Sequence, residues 1–200
     1  MVLARVDVLA SSVALPRDVA RLLEESARRL EEFPRGKTLP GFIPSDFEQV
    51  YRTLAAVAVG NVAPGDCFCE WGSGLGVVAL LAAQLELNAH GIEIEAELVE
   101  AARRLADDFE LEVDFACGTF VPPGGEEYVD SVAEFDWLHA GGGCGHEELG
   151  LAPDELDIVF AYPWPGEEAV IETLFDRFAA AGAVLVTYRG LEGVSVQRKS

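Results

Sequence analysis

The chain has 200 residues, half of them hydrophobic, and a formal net charge of −21. This length fits one domain with a hydrophobic core, and the apolar content excludes a disordered chain. Only two lysines stand against 35 carboxylates, so the charge argues against nucleic-acid binding and indicates either a solvated acidic surface or a cationic partner. The apolar N-terminal stretch is interrupted by Arg5 and Asp7. We therefore predict no membrane span or signal peptide and a soluble, cytoplasmic protein.

The first 44 residues are predicted to form a helical N-terminal extension. Apolar residues recur at helical spacing between Pro16 and Phe33, and proline is common at a helix start. A break rich in proline and glycine separates this helix from residues 45–200, which we predict to be one domain. Ser45 and Glu48 have the spacing of a capping box and predict the start of a second helix.

The rest of the chain alternates between strand-like and helix-like segments. Predicted strands begin at Cys67 and continue with AHGIEI, LEVDFA, LDIVFA and AVLVTY, with GVSVQRK as a short last strand. Strands that alternate with helices predict an α/β fold, in which a mostly parallel sheet has helices on both faces.

Residues 120–153 interrupt this alternation. They contain the glycine-rich stretches PPGG and GGGCG around an acidic, aromatic segment, for which we predict a helix near residues 126–138. Such a long connection is typical of either a lid over a binding site or a surface insertion, and the sequence leaves both open.

The four cysteines do not form the pattern of a disulfide framework or a zinc site. Cys67 and Cys69 alternate along a predicted strand and are expected to be core residues. Cys144 and His146 resemble half of a metal site, but no second pair stands at ligand spacing. We therefore predict no disulfide and no zinc, and a glycine-rich loop around Cys144.

A dense glycine cluster, EWGSGLG, follows the strand that begins at Cys67. Gly72, Gly74 and Gly76 fall within five residues, which is costly unless the backbone turns sharply or a ligand approaches it closely. A dinucleotide-binding G-x-G-x-x-G pattern would need a small residue at Val77, so that pattern fails here. The turn nevertheless lies at the carboxyl end of a predicted parallel strand, where nucleotide-like ligands bind.

The string from Glu70 to Gly76, E-x-G-x-G-x-G, resembles the first motif of the class I S-adenosylmethionine-dependent methyltransferases. The resemblance covers roughly residues 47–188 and implies a Rossmann-like fold with S-adenosylmethionine as cofactor. It implies that the turn wraps the methionine part of the cofactor and that Glu70 helps to organise the site. The turn residues with this implied role are Gly72, Ser73, Gly74 and Gly76.

A second resemblance lies where the fold requires it. The string GIEIEAELVEAARRLA is similar to the second motif of the same family, a strand that ends in an acidic residue and leads into a helix. The resemblance implies that Glu93 accepts hydrogen bonds from both ribose hydroxyls of the cofactor. Glu95 is the alternative, because it would face the same side of an extended strand.

The later motifs depart from the family pattern. Many relatives carry an acidic residue near the adenine after the third strand, but this chain has Cys117, Gly118 and Thr119 there, so an adenine contact is expected from the backbone or the Thr119 hydroxyl. DIVFAYPWP resembles the fourth motif, in which members that methylate amino groups carry Asn or Asp, two prolines and an aromatic residue. Tyr162 takes the polar position and Trp164 is the aromatic residue. These two are the candidate catalytic residues, and the missing Asn or Asp argues against methylation of nucleic-acid bases.

The resemblance implies an enzyme that transfers a methyl group to an amine or another nucleophile on a protein or a small molecule. The acidic composition and the aromatic turn at Tyr162 favour a cationic acceptor. The departures at residues 117–119 and at Tyr162 leave a non-catalytic cofactor-binding protein as the alternative. A dinucleotide-dependent oxidoreductase is a third hypothesis, against which Val77 argues.

Two other features of the sequence bear on mechanism and assembly. No general base stands out, since His139 and His146 qualify by residue type alone and are expected in a loop or facing solvent, while His90 is expected to be structural. Relatives commonly end with two antiparallel strands after the fifth, but only one fits here. The compact C-terminal end therefore indicates either a minimal sheet or an edge completed by a partner chain, as in a homodimer.

Overall fold

The computed structural model describes residues 3–8, 14–32, 45–130, 143–164 and 166–200. Seven strands form one sheet: Leu3–Arg5 (β1), Cys67–Trp71 (β2), Asn88–Glu93 (β3), Val113–Cys117 (β4), Ile158–Ala161 (β5), Val184–Tyr188 (β6) and Val194–Lys199 (β7). Their order across the sheet is β1-β7-β6-β5-β2-β3-β4. The pairings from β6 through β5, β2 and β3 to β4 are parallel, and β7 is antiparallel to both of its neighbours. The predicted α/β fold with a mostly parallel sheet is confirmed.

Helices cover both faces of the sheet. They are Arg17–Glu32 (α1), Phe47–Val59 (α2), Val77–Ala83 (α3), Ala96–Asp108 (α4), Glu126–Asp130 (α5), Gly145–Leu149 (α6) and Glu168–Phe178 (α7). Successive strand residues point to opposite faces, so Phe68 of β2 joins a core with α1 to α4. Its neighbour Cys69 joins a second core, to which α5 and α7 contribute. Among the described residues, no helix combines the length and apolar character needed to cross a membrane.

The N-terminal region contains a strand that its sequence did not predict. The helix expected between Pro16 and Phe33 is present as α1. Ahead of it, β1 pairs antiparallel with β7, in a register that places Leu3 opposite Lys199. The outer edge of β7 is therefore covered by β1 of the same chain. Both predicted alternatives, a minimal sheet and an edge completed by a partner chain, differ from this arrangement. A homodimer remains a prediction, without the support that an open β7 edge would have given it.

The start of α2 differs by one residue from the predicted capping box. The cap is Asp46, whose Oδ1 accepts a hydrogen bond of 3.0 Å from the Gln49 backbone N–H. The box predicted for Ser45 and Glu48 is therefore wrong. Aspartate is as good an N-cap as serine, and Glu48 instead forms an ion pair of 2.7 Å with Arg52.

Two short helices belong to the segment 120–153. The helix predicted near residues 126–138 is present as α5 in its first five residues, and its remainder falls within 131–142, outside the described residues. Downstream, α6 follows the GGGCG stretch and contacts β3 and β4. The choice between a lid and a surface insertion stays open.

Candidate functional site

The glycine turn between β2 and α3 has the backbone shape that its composition predicts. Gly72, Gly74 and Gly76 have φ values of +72°, +55° and +69°, the left-handed region that side chains disfavour. The N–H groups of Gly72 and Ser73 both donate to the Ile92 carbonyl at 2.9 Å, which ties the turn to β3. The turn is therefore fixed against the neighbouring strand.

The glycines of this turn differ in their surroundings. A side chain at Gly76 would collide with the Phe115 ring, so glycine is needed there for packing. A side chain at Gly72 would meet no atom within 4 Å among the described residues. Gly72 therefore borders open space at the carboxyl edge of the sheet.

Glu93, the last residue of β3, lies against this turn. Its Oε2 accepts from the Gly74 N–H at 2.8 Å, and its Oε1 accepts from the Glu95 N–H at 3.0 Å. The residue is 8% exposed. Burial raises the pKa of the Glu93 carboxyl, and the two backbone bonds oppose that shift. A carboxylate held in this way can accept further hydrogen bonds from a pair of ligand hydroxyls.

The structure separates Glu93 from its alternative. Glu95 is partly exposed and stands at the N-cap of α4, where its side chain makes no capping bond. Of the two residues considered for the ribose, only Glu93 has its carboxylate hydrogen-bonded to the glycine turn.

Glu70 and Ser73 face inward from the same turn. The Glu70 Oε2 accepts from the Ala79 N–H at 2.8 Å, in the first turn of α3. Burial raises the pKa of Glu70 well above its usual range, the Ala79 bond opposes this rise, and the Glu93 charge adds to it. Ser73 is buried, and its hydroxyl has no hydrogen-bond partner among the described residues. Both side chains are therefore buried within the glycine turn, and Glu70 ties it to α3.

The segment that follows β4 is hydrogen-bonded to residues 143–145, where α6 begins. Thr119 donates its N–H to the Gly143 carbonyl at 2.9 Å, and Gly145 donates to the Thr119 carbonyl at the same distance. The Thr119 hydroxyl accepts from the Val121 N–H at 3.1 Å. A side chain at Gly118 would collide with the Gly143 carbonyl oxygen. The residues expected near an adenine, Cys117 to Thr119, thus lie beside Glu93 and are held by Gly143 and Gly145.

His146 does not face solvent, which corrects the sequence-based expectation. The residue is 3% exposed, and its ring packs edge-on against Trp71. Its Nε2 lies 3.1 Å from the Phe120 carbonyl oxygen; because a carbonyl only accepts, Nε2 carries the hydrogen. Burial lowers the pKa of His146. The residue holds α6 against the end of β2 and does not present a base to the glycine turn.

Of the other two histidines, the structure describes only His90. His90 is buried within β3, as expected of a structural residue. His139 lies outside the described residues. Within the described ranges, no three His, Cys, Asp or Glu side chains are placed to hold a metal ion.

The YPWP turn brings Tyr162 next to the glycine turn. Trp71 of β2 pairs with Ala161 of β5, so the residues that follow them, Gly72 and Tyr162, are neighbours. The Tyr162 ring packs edge-on against Tyr188 at the end of β6, with 4.9 Å between ring centroids. Tyr188 carries no motif signal and was missed by the sequence analysis, although it ends the predicted strand AVLVTY.

Trp164 is held by a residue that the sequence also failed to mark. Its backbone N–H donates to the Glu167 Oε2 at 3.0 Å. Glu167 is buried, its second oxygen has no partner among the described residues, and burial raises the pKa of its carboxyl. The turn that carries Tyr162 and Trp164 is therefore anchored by a buried carboxylate at the start of α7.

Comparison with known proteins identifies the fold. No protein-family model matches the sequence, and no curated protein gives a significant match. A methyltransferase from Geobacter sulfurreducens has a TM-score of 0.58 at 16% identity, covering 94% of this chain and 93% of that one. An RNA methyltransferase from Salinibacter ruber, in complex with S-adenosyl-L-homocysteine, has a TM-score of 0.52 at 21% identity, covering 78% and 92%. An O-methyltransferase from Bacillus cereus, also solved with that compound, has a TM-score of 0.53 at 14% identity, covering 88% and 67%.

These likenesses extend over most of the chain at low sequence identity. The chain therefore has the Rossmann-like fold of S-adenosylmethionine-dependent methyltransferases, as its motifs predicted. Fold alone does not fix activity, and the function has to be argued from the site.

Proposed function

We propose that this protein is an S-adenosylmethionine-dependent methyltransferase that acts on an amine, or a related nucleophile, of a protein side chain or a small molecule. The observation that carries the proposal is the buried Glu93 carboxylate, hydrogen-bonded to the glycine turn beside the open space at Gly72. The likeness to methyltransferases solved with S-adenosyl-L-homocysteine supports the choice of cofactor.

The residues of the site fit this cofactor. A carboxylate has about four lone-pair sites, so Glu93 can keep its backbone bonds and accept from both ribose hydroxyls. Gly72 leaves room for the methionine part. The backbone of residues 117–119 would border the adenine. Glu70, bonded to α3, would shape the turn without touching the ligand through its carboxylate.

Catalysis by this site would rest on position more than on acid–base chemistry. When bound, the cofactor supplies a methyl group on a positively charged sulfur, which becomes a neutral thioether once the methyl has been transferred. The protein's part is to hold a nucleophile beside Gly72, where Tyr162 and Trp164 form the neighbouring turn. Because the leaving group needs no proton, alignment and exclusion of water supply the acceleration, and the site can work without a general base.

We propose that the acceptor binds as a cationic ammonium group and then loses a proton to water, because only the neutral amine has the lone pair that attacks the methyl group. The net charge of −21 attracts cations over a long range, and the rings of Tyr162 and Trp164 can attract an ammonium group at short range. The same charge opposes a nucleic-acid acceptor, although one protein of similar fold is an RNA methyltransferase. A cytoplasmic location, predicted from composition, belongs to the same proposal.

Transfer and binding can be tested together. Incubation of the protein with cell extract and methyl-labelled S-adenosylmethionine should label a protein or a small amine. Glu93→Ala should lower the affinity for S-adenosylhomocysteine roughly 100- to 10,000-fold, since it removes two hydrogen bonds to a charged group, which contribute about 1.5–3 kcal/mol each. Glu93→Gln keeps the shape and should lower the affinity less. Calorimetric titration of each folded variant measures the effect.

Glu95→Ala is the matched control, because it removes a carboxylate two residues away that makes no capping bond at the start of α4. It should bind S-adenosylhomocysteine almost as wild type does. If Glu95→Ala were the damaging change and Glu93→Ala bound normally, the assignment of the ribose acceptor would be wrong. Tight binding without transfer to any acceptor would favour the non-catalytic alternative.

A further inference from the structure

We infer that Tyr188, together with Tyr162, forms a two-ring subsite for the positive charge of the methyl donor, so that the protein distinguishes the charged cofactor from its neutral product. This inference rests on the proposed function and assigns a specificity role to a residue outside the family motifs.

Strand register places the two tyrosines in line with the cofactor residues. Four residues on neighbouring strands are paired side by side across the sheet, in the order Ile92, Trp71, Ala161 and Thr187. The residues that follow them in the chain are, in the same order, Glu93, Gly72, Tyr162 and Tyr188. Neighbouring strands lie about 4.8 Å apart, so the row runs about 14 Å from Glu93 to Tyr188. A ligand anchored at Glu93 that passes Gly72 would next meet Tyr162 and then Tyr188.

The row lies on one face of the sheet. Ile92, Trp71 and Ala161 belong to the second core, so the residues after them face the other side. Tyr162 and Tyr188 pack against the first core, which confirms this side for both rings. They are only partly buried, and therefore keep surface available to a ligand.

The ring pair itself suits a cation. The two planes are inclined at 77° and the centroids are 4.9 Å apart, so the rings form a corner and not a stack. Neither hydroxyl has a hydrogen-bond partner among the described residues. Burial and the neighbouring Tyr188 raise the pKa of Tyr162, which keeps this ring uncharged at neutral pH. Phenol rings can attract a cation through their π faces.

The cation nearest to this corner in sequence points away from it. Arg189 follows Tyr188, but its Nη2 forms an ion pair of 2.6 Å with Glu172 of α7. Its Nε also donates to the Thr187 hydroxyl, on the face opposite to Tyr188. Arg189 is thus engaged elsewhere and does not fill the corner with its own positive charge.

The two rings should therefore give the site a preference for the positively charged cofactor over its neutral product. S-adenosylmethionine carries a methyl group on a positive sulfur. S-adenosylhomocysteine lacks that methyl group and the charge, while the rest of the two molecules is the same. A ring contact to the sulfonium should therefore strengthen binding of the first compound alone. From the usual strength of such contacts, loss of one ring should shift the ratio of the two dissociation constants about 2- to 30-fold against the charged form.

The test is calorimetric titration of both compounds into wild type, Tyr188→Leu and Tyr188→Phe. Tyr188→Leu should weaken S-adenosylmethionine relative to S-adenosylhomocysteine by that factor, and Tyr188→Phe, which keeps the ring, should preserve the wild-type ratio. Tyr162→Leu serves as a second variant, with the same expected shift, if Tyr188→Leu does not fold. Circular dichroism verifies folding.

Two results would overturn the inference while the proposed function stands. Either the ratio in the leucine variants equals that of wild type, or both compounds lose affinity equally, which would mean that the rings act through shape alone. If wild type bound neither compound, the proposed function itself would fail, and the inference with it.

Discussion

Gly72 and Gly76 share a left-handed backbone, with φ values of +72° and +69°, but for different reasons. Gly76 has the Phe115 ring and Ala102 against the position of a side chain, whereas Gly72 has open space there. Gly76 is needed so that the turn can pack against β4 and α4, whereas Gly72 leaves the carboxyl edge of the sheet accessible. Alanine at each position should therefore fail in a different way.

Gly76→Ala should destabilise the fold strongly. The left-handed backbone costs roughly 1–2 kcal/mol with any side chain, and the collision with Phe115 adds to it. Gly72→Ala should carry only the backbone cost, because its methyl group meets no atom of the described residues, yet it should abolish binding of S-adenosylhomocysteine by filling the ligand's space. Urea unfolding and calorimetric titration of both variants measure the two effects. A Gly72→Ala variant that binds as wild type would show that the ligand does not use this space.

The position of Glu93 at the end of a strand could be predicted from sequence, but contacts between distant segments could not. A strand that ends in an acid before a helix predicted Glu93 over Glu95, because motif spacing is local. The burial of His146 against Trp71 depends on contacts between segments about 75 positions apart. Likewise, Tyr188 meets Tyr162 only through the register of β5 and β6. Such contacts have no local signal in the sequence.

Among the elements, β1 shows most clearly what local patterns miss. Its three residues, Leu3–Arg5, are too few for a visible alternation of polar and apolar side chains. The strand forms because β7 offers an edge at the other end of the chain, and Val6 extends the pairing with an N–H bond of 2.9 Å to the Val196 carbonyl. The long helices α1 and α4 were predicted, since their apolar residues recur at helical spacing in the sequence.

Ala4→Pro should expose the edge of β7. Hydrogen-bonded pairs alternate along an antiparallel ladder, so the bonded pair of Val6 and Val196 makes Ala4 and Arg198 bonded too. Proline has no N–H to donate. We expect a lower melting temperature and more self-association, measured by light scattering after size-exclusion chromatography. A variant with unchanged mass and stability would mean that β1 does not protect this edge.

The other edge of the sheet is protected by side chains. Arg103 of α4 donates to the Phe115 carbonyl at 2.6 Å, and the Cys117 N–H donates to the Glu148 carboxylate at 3.2 Å. Both backbone groups belong to β4, the last strand of the sheet. Covering the polar groups of an edge strand limits pairing with other chains. Charged side chains thus cover backbone groups of β4 at this end of the sheet, while β1 covers the edge of β7 at the other end.

At the scale of the whole molecule, the sheet brings residues that are far apart in the sequence to one edge. Because β2, β3, β5 and β6 are parallel, their carboxyl ends meet, and Glu93, Gly72, Tyr162 and Tyr188 form one row. The net charge of −21 attracts cations and repels phosphates over a long range. This charge supports the proposal of a cationic acceptor.

Calorimetric titration of the wild-type protein with S-adenosylhomocysteine, NAD and NADP tests most directly whether the glycine turn holds an S-adenosylmethionine-type cofactor. We expect saturable binding of one S-adenosylhomocysteine per chain, because Glu93 is placed to accept from a ribose. We expect no binding of either dinucleotide, because Val77 breaks the dinucleotide pattern. Saturable binding of NAD or NADP, without binding of S-adenosylhomocysteine, would contradict this assignment and with it the proposed methyl transfer.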